Sequence, residues 1–177
     1  MKTVTKTNGQ TNDNVVAKNV GTGWNGLYQR CYDNGKLSFS AHCINGKLHG
    51  LYEQWYRNGQ LDYISHYKNG KEHGIYESWY FNGQLSDRRT YKDGKLHGLY
   101  ESWYNNGQRC VKAYYINGER EGLCESWHSN GKLMRKCYYK NGKLDGLYEK
   151  WFYSGELMER SLYKDGELVL IKEHAHL

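Results

Sequence analysis

Proline is absent from this 177-residue chain. A chain without it can place every residue in a hydrogen-bonded ladder, since proline alone lacks the backbone N–H. Long apolar runs are absent too. None approaches the ~20 residues of a membrane-spanning helix. The opening stretch MKTVTKTNGQTNDNVV lacks the apolar centre of roughly 7–15 residues that a secretory signal needs. The expectation is a soluble, intracellular, cytoplasmic protein, with a virus particle as the other setting. Cysteines number five, at 31, 43, 110, 124 and 137. An odd count with no CxxC spacing argues against a disulfide framework and against a zinc site. No GxSxG, P-loop, HExxH or GxGxxG motif occurs in its structural context. The sequence therefore offers no catalytic residue, no metal ligand set, no cofactor site and no small-molecule substrate.

Aromatic residues and glycine take the place of what is missing. Hydrophobic residues make up only 38%, yet there are 18 Tyr, 6 Trp and 21 Gly. A buried ring removes roughly 150–250 Å² from water, so aromatic rows can hold together a chain poor in aliphatics. Net charge is +6, but lysine, arginine and acid are mixed along the chain. Nucleic acid is thus an unlikely partner, because phosphate binding needs a stripe of one sign.

The residues repeat. Gly26, Gly50, Gly74, Gly98, Gly122 and Gly146 are each 24 apart. Trp55, Trp79, Trp103, Trp127 and Trp151 keep the same step, with Cys31 in the first unit's slot. One series of turn dipeptides begins at Asn34-Gly35 and Asn58-Gly59 and ends at Ser154-Gly155. A second, from Asn45-Gly46 to Asp165-Gly166, interleaves with it. Asn-Gly and Asp-Gly favour type I′ hairpin turns, in which both central residues have positive φ. The segments between them, such as KLHGLYEQWYR and QLDYISHYK, have strand composition and strand length.

The predicted fold is all-β: an elongated, twisted antiparallel meander of about six stacked 24-residue hairpins, as an open single-layer sheet or a trough. With strands ~4.8 Å apart, about twelve would span on the order of 55 Å. Register stays open. Plain two-residue loops put Tyr56 opposite Leu61 and Tyr52 opposite Ser65. A bulge puts Trp55 opposite Leu61, and one residue of slip exchanges the faces. The glycine inside the long strand, at 50, 74, 98, 122 and 146, suits a bend or the close approach of a facing ring. Domain boundaries follow the repeat: a polar extension over 1–23, with Trp24 as a candidate anchor across the first edge; the array over 24–169; and a tail or cap over 170–177.

GKLHG at 46–50 and 94–98, followed by an aromatic strand, resembles the core of MORN repeats. The longer phrase GLYExWYxNGQL is similar to the MORN variant repeat of bacterial proteins, many of them antitoxin components. Related arrays abound in large DNA viruses. The resemblance covers about 26–169. It implies a hairpin ribbon that binds or scaffolds proteins, dimerises, or meets acidic phospholipids. Cys31 for Trp, Cys124 for Tyr, and Glu121 and Asp145 for the His before Gly depart from the pattern.

The glutamates at 53, 77, 101, 125 and 149 recur in every unit, whereas a catalytic site is singular. His49, His73 and His97 recur ~10 Å apart, too far to share one metal. His174 and His176 make only two ligands. In the plain-loop register Cys124 faces Cys137, close enough for a disulfide; two free thiols are the alternative in a reducing compartment. Trp55, Trp79, Trp103, Trp127 and Trp151 are expected to be structural, with the strand glycines. Tyr56, Tyr80, Tyr104, His128 and Phe152 form the row expected to meet a protein partner, if they do not instead pack within the sheet. The leading expectation is a non-enzymatic module for protein binding or self-association. A structural part of a larger assembly, an antitoxin-like neutralising binder and weak phospholipid binding through lysine ladders are the other readings.

Overall fold

The computed structural model describes residues 15–17, 23 and 25–174, with side chains over 23 and 25–171. Among them there is no helix. The strands are β1 (Val15–Ala17), β2 (Gly26–Cys31), β3 (Leu37–Ile44), β4 (Lys47–Trp55), β5 (Leu61–Lys68), β6 (Lys71–Trp79), β7 (Leu85–Lys92) and β8 (Lys95–Trp103). They continue as β9 (Arg109–Ile116), β10 (Glu119–Arg120), β11 (Gly122–Trp127), β12 (Leu133–Lys140), β13 (Lys143–Trp151), β14 (Leu157–Lys164) and β15 (Glu167–His174). All lie in one open sheet in sequence order, with β10 pairing β9 beside β11. The meander expected from the sequence is what forms. Val15–Ala17 pairs antiparallel with β2, and β15 is the last strand beside β14. Trp24 and the side chains of His174 and His176 lie outside the described residues.

The two Asn-Gly series make different turns, which corrects the expectation of twelve alike. In the second series Asn45, Asn69, Asp93, Asn117, Asn141 and Asp165 all have φ near +50°, each followed by a positive-φ glycine. These are two-residue turns, with Lys68 paired to Lys71 across Asn69-Gly70. In the first series only the glycine is left-handed: Gly59 has φ +89° and Asn58 is not among the positive-φ residues. There Tyr56 N–H donates to the Gln60 carbonyl and Gly59 N–H to the Tyr56 carbonyl, both at 2.8 Å. Asn58 Oδ1 accepts from Gln60 N–H at 2.9 Å. The asparagine here serves as an acceptor for its own loop. Five-residue loops result.

Register combines both alternatives. Next to the loop Trp55 pairs with Leu61, while Gln54 pairs with Tyr63 and Tyr52 with Ser65. Asp62 is the extra residue that absorbs the slip. A second irregularity sits at the strand glycine. Ser65 pairs with Tyr76 but Tyr67 with Glu72, so His73, Gly74 and Ile75 stand opposite His66 alone. Gly74 has φ +116°, and a Cβ on it would lie 3.1 Å from His66 Cβ. The glycine therefore serves a bulge and a close approach. The approaching groups at Gly50, Gly74, Gly98 and Gly146 are the Cβ atoms of His42, His66, Thr90 and Tyr138.

Register also decides which face packs. One row across the sheet alternates Tyr with a small residue: Tyr28–Ala41, Tyr52–Ser65, Tyr100–Ala113, Tyr148–Ser161. The small partners are deeply buried, Ser161 and Ala113 at 0% and 1%. Rings lie over them and against one another, as in Tyr52–Tyr63 at 5.4 Å and Tyr63–Tyr76 at 5.6 Å. The aromatics are thus half-buried lids over a floor of Ala, Ser and Cys. Where the small partner is Arg89, its guanidinium lies 5.1 Å from the Tyr76 ring and 5.6 Å from Tyr100. Asp87, itself buried, holds it through a bond of 3.0 Å to Oδ2.

Candidate binding face and the two rims

The five-residue loops form one rim of the sheet, and the row expected to meet a partner lies there. Tyr56, Tyr80 and Tyr104 each donate their hydroxyl to the carbonyl of Trp79, Trp103 and Trp127 at 2.7 Å. His128 Nε2 lies 3.1 Å from the Trp151 carbonyl. Phe152 has no polar tip, and its backbone N–H bonds Glu156 within the loop. The polar ends of this row are bonded to the next repeat within the chain. Burial, and then Asp62, raises the Tyr56 hydroxyl above its usual range. A hydrogen bond with Cys110, and then burial, pushes Tyr104 up to about 12. Trp55, Trp79, Trp103, Trp127 and Trp151 are half-buried strand ends, and their carbonyls are the stitching points.

The two-residue turns form the opposite rim, stitched chiefly by backbone. Gly70, Gly94, Gly118, Gly142 and Gly166 donate N–H to the carbonyls of Leu48, Glu72, Leu96, Arg120 and Leu144, at 2.7–3.0 Å. The position before the strand glycine assists. His97 Nδ1, Glu121 Oε2 and Asp145 Oδ2 accept the N–H of Asn117, Asn141 and Asp165 at 3.4, 2.8 and 3.3 Å. That explains a slot filled by His, Glu or Asp, since each can present an acceptor. The signal in the sequence for this role is the acceptor that His, Glu and Asp share, not a metal-ligand spacing. Among the described residues no group of three or more His, Cys, Asp or Glu could hold a metal.

With its backbone carrying the stitch, this rim leaves side chains free. Lys68 faces Lys71 and Lys92 faces Lys95 across their turns, and all four are exposed. Among the described residues none of the four has an ion pair. Like charges directly opposite repel. Asp93, between them in sequence, is held by His73 at 3.1 Å. The sequence showed mixed charge; the fold gathers lysines at one rim.

The same face carries an apolar row. His66 pairs with Leu51 and lies two residues from Lys68 on β5, so Leu51 and Lys68 share a face. Leu51, Ile75, Leu99 and Leu123 keep this position with 37–49% of their surface exposed. Tyr114 and Tyr138, opposite Leu99 and Leu123, are also exposed. Beside the row, Arg88 bonds Glu77 at 2.7 Å and Arg160 bonds Glu149 at 2.9 Å. The glutamate ladder is therefore partly spent in cross-strand pairs.

The row deepens where the sheet is interrupted. Glu121 separates β10 from β11, and β11 is registered on β9 only at Glu125–Lys112 and Ser126–Val111. Gly122 has no atom within 4 Å of where a Cβ would stand, unlike Gly50, Gly74, Gly98 and Gly146. A cavity of about 390 Å³ opens there, lined among others by Leu99, Lys112, Tyr114, Leu123 and Glu125. Beneath it, Cys124 pairs with Cys137, in contact with Ala113. Both are free, buried thiols. The Cys137 thiol, and then the positive charges of Arg120 and Arg135, favour the Cys124 thiolate, while Cys137 is pushed up by its hydrogen bond to Cys124 and by burial.

No curated protein matches this chain. The MORN repeat variant family matches residues 48–69, 72–93, 96–117, 120–141 and 144–165. The first hairpin lies outside these matches, yet its Tyr32 hydroxyl bonds the Trp55 carbonyl at 2.6 Å as its equivalents do. Repeats of this kind are generally binding or scaffolding modules and typically non-catalytic. Matched phase for phase over five of its hairpins, the chain belongs to the MORN repeat variant family.

Proposed function

We infer that this chain is a non-enzymatic module that binds another protein through the face bearing Leu51, Ile75, Leu99 and Leu123. One observation carries the reading: large aliphatic side chains recur exposed at a single register position while the other face is closed by rings. An isolated exposed leucine means little, but a contiguous row is a feature of docking surfaces. The cavity at the β9–β11 junction supports it, since interfaces draw their energy from anchors seated in pockets. The Tyr56 row supports it indirectly, by locking neighbouring repeats into one rigid platform. Affinity purification of the tagged full chain from its native source tests the reading. A protein partner in stoichiometric amount is expected, and Leu99→Gln with Leu123→Gln weakens its recovery. A chain recovered alone, or a partner retained equally by the double variant, counts against this face.

A further inference from the structure

We propose that the occupant of this face is an acidic amphipathic α-helix lying across the strands, its apolar residues on the Leu51–Leu123 row and its carboxylates on the lysine rim. The proposal rests on reading the chain as a binding module and adds the partner's chemistry.

Spacing favours a helix. Equivalent residues of successive repeats are two strands apart, ~9.6 Å. A helix presents the same face again after seven residues, ~10.5 Å along its axis. An extended segment returns to one face every ~6.6–6.8 Å and falls out of step after one repeat. Four aliphatic positions at this interval meet four successive heptads.

Charge favours acid. Lys68, Lys71, Lys92 and Lys95 are exposed, repel in pairs across their turns and have no ion pair among the described residues. Their own sheet offers little relief: Asp93 is held by His73, and Glu72 lies opposite Tyr67 and accepts from Ser65 Oγ at 3.4 Å. Carboxylates arriving from outside remove the repulsion and add charge-assisted hydrogen bonds. The cavity supplies the anchor. Leu99, Leu123 and Tyr114 line a space of about 390 Å³, room for one bulky apolar side chain at the end of the row.

The test uses the full chain and a labelled 28-residue peptide, with Leu at every seventh position, Glu one turn away, Ala elsewhere and one Leu replaced by Trp. Fluorescence anisotropy reads binding. A scrambled peptide of the same composition, an alternating Glu/Val peptide, polyphosphate and phosphatidylserine vesicles serve as comparisons. The helix peptide is expected to bind at least about tenfold tighter than the scrambled one. Lys68→Glu, Lys71→Glu, Lys92→Glu and Lys95→Glu together should abolish binding. Leu99→Gln with Leu123→Gln should weaken it about tenfold without altering the salt dependence. Circular dichroism checks folding, and all substituted sites are exposed. Equal binding of the scrambled or alternating peptide overturns the helix. Polyphosphate or vesicles bound as well by the leucine variant overturn the protein partner in favour of a bare polyanion site. No binding of any probe overturns the occupant proposed here. A native partner that co-purifies despite both variants overturns the surface and leaves the binding-module reading intact.

Discussion

The two rims of this sheet hold the same neighbours together with different atoms. At the loop rim the stitch is a side chain: Tyr56, Tyr80 and Tyr104 reach the Trp carbonyl of the next repeat. Asn82, Asn106 and Asn130 likewise reach the carbonyls of Asn105, Ser129 and Tyr153. At the turn rim the main stitch is the glycine N–H, and the side chain before the strand glycine adds an acceptor that His, Glu or Asp can supply. A side-chain stitch fixes the residue that makes it. A backbone stitch fixes only the turn conformation and releases the neighbouring positions. The loop rim keeps Tyr, Asn and Gly in most repeats; the turn rim keeps Asn-Gly or Asp-Gly in all six, while the pair flanking it changes from Ile44 and Lys47 to Lys68 and Lys71 to Ile116 and Glu119. Structure is invested in one rim, and variable surface in the other.

The largest effect should come from cutting the side-chain stitch. Tyr56→Phe, Tyr80→Phe and Tyr104→Phe keep the rings and remove three hydroxyls. Each lost bond costs about 1 kcal/mol, and sites this far apart add, so the triple variant should lose ~3 kcal/mol. Thermal unfolding should then shift down by ~6–12 °C. An unchanged melting curve would mean that the hydroxyls bond water equally well and that the loop rim is not committed.

Next comes the backbone beside the turn rim. Gly74→Ala must hold an L-residue at φ +116° with its Cβ 3.1 Å from His66 Cβ. Gly122→Ala, at φ +72°, meets nothing within 4 Å. Left-handed backbone alone costs an L-residue about 1–2 kcal/mol. Gly122→Ala should cost the low end of that range, and Gly74→Ala more, through the added contact. Urea melts of the two variants check the order. Equal losses would show that the close approach contributes nothing and φ alone demands the glycine.

Legibility followed the same division. Period, strand positions and meander could be read from Gly, Trp and Asn-Gly spacing, because each is a local demand of backbone or turn. The Cys124–Cys137 opposition could be read too, since a plain two-residue loop and the observed loop with its bulge agree beyond the bulge. The two meanings of Asn-Gly could not. Asn58 and Asn69 have the same following residue, and only the bonds of Tyr56 and Gln60 decide which φ the asparagine adopts. The Tyr-to-Trp stitch was hidden because it joins residues 23 apart that touch only once the sheet is stacked. The lysine ladder was legible as a repeat, but the pairing of its members across the turns was not drawn from it. A two-residue turn at Asn69-Gly70 sets Lys68 opposite Lys71, and the same kind of turn sets Lys92 opposite Lys95.

The smallest effect on stability, and the sharpest contrast, belongs to the lysines. Lys68→Gln, Lys71→Gln, Lys92→Gln and Lys95→Gln remove four charges from exposed positions and break no ion pair among the described residues. Two directly opposed like-charge pairs vanish, each unfavourable by roughly 0.2–1 kcal/mol. The variant should therefore be more stable than the parent by about 0.4–2 kcal/mol. Salt separates this from an unrelated gain. Added NaCl should stabilise the parent by screening the exposed pairs, and should do so less in the variant. Denaturant melts at low and high ionic strength measure both. A variant less stable than its parent at low salt would mean that the lysines hold the sheet together, as the tyrosines do, and the functional distinction between the rims would collapse.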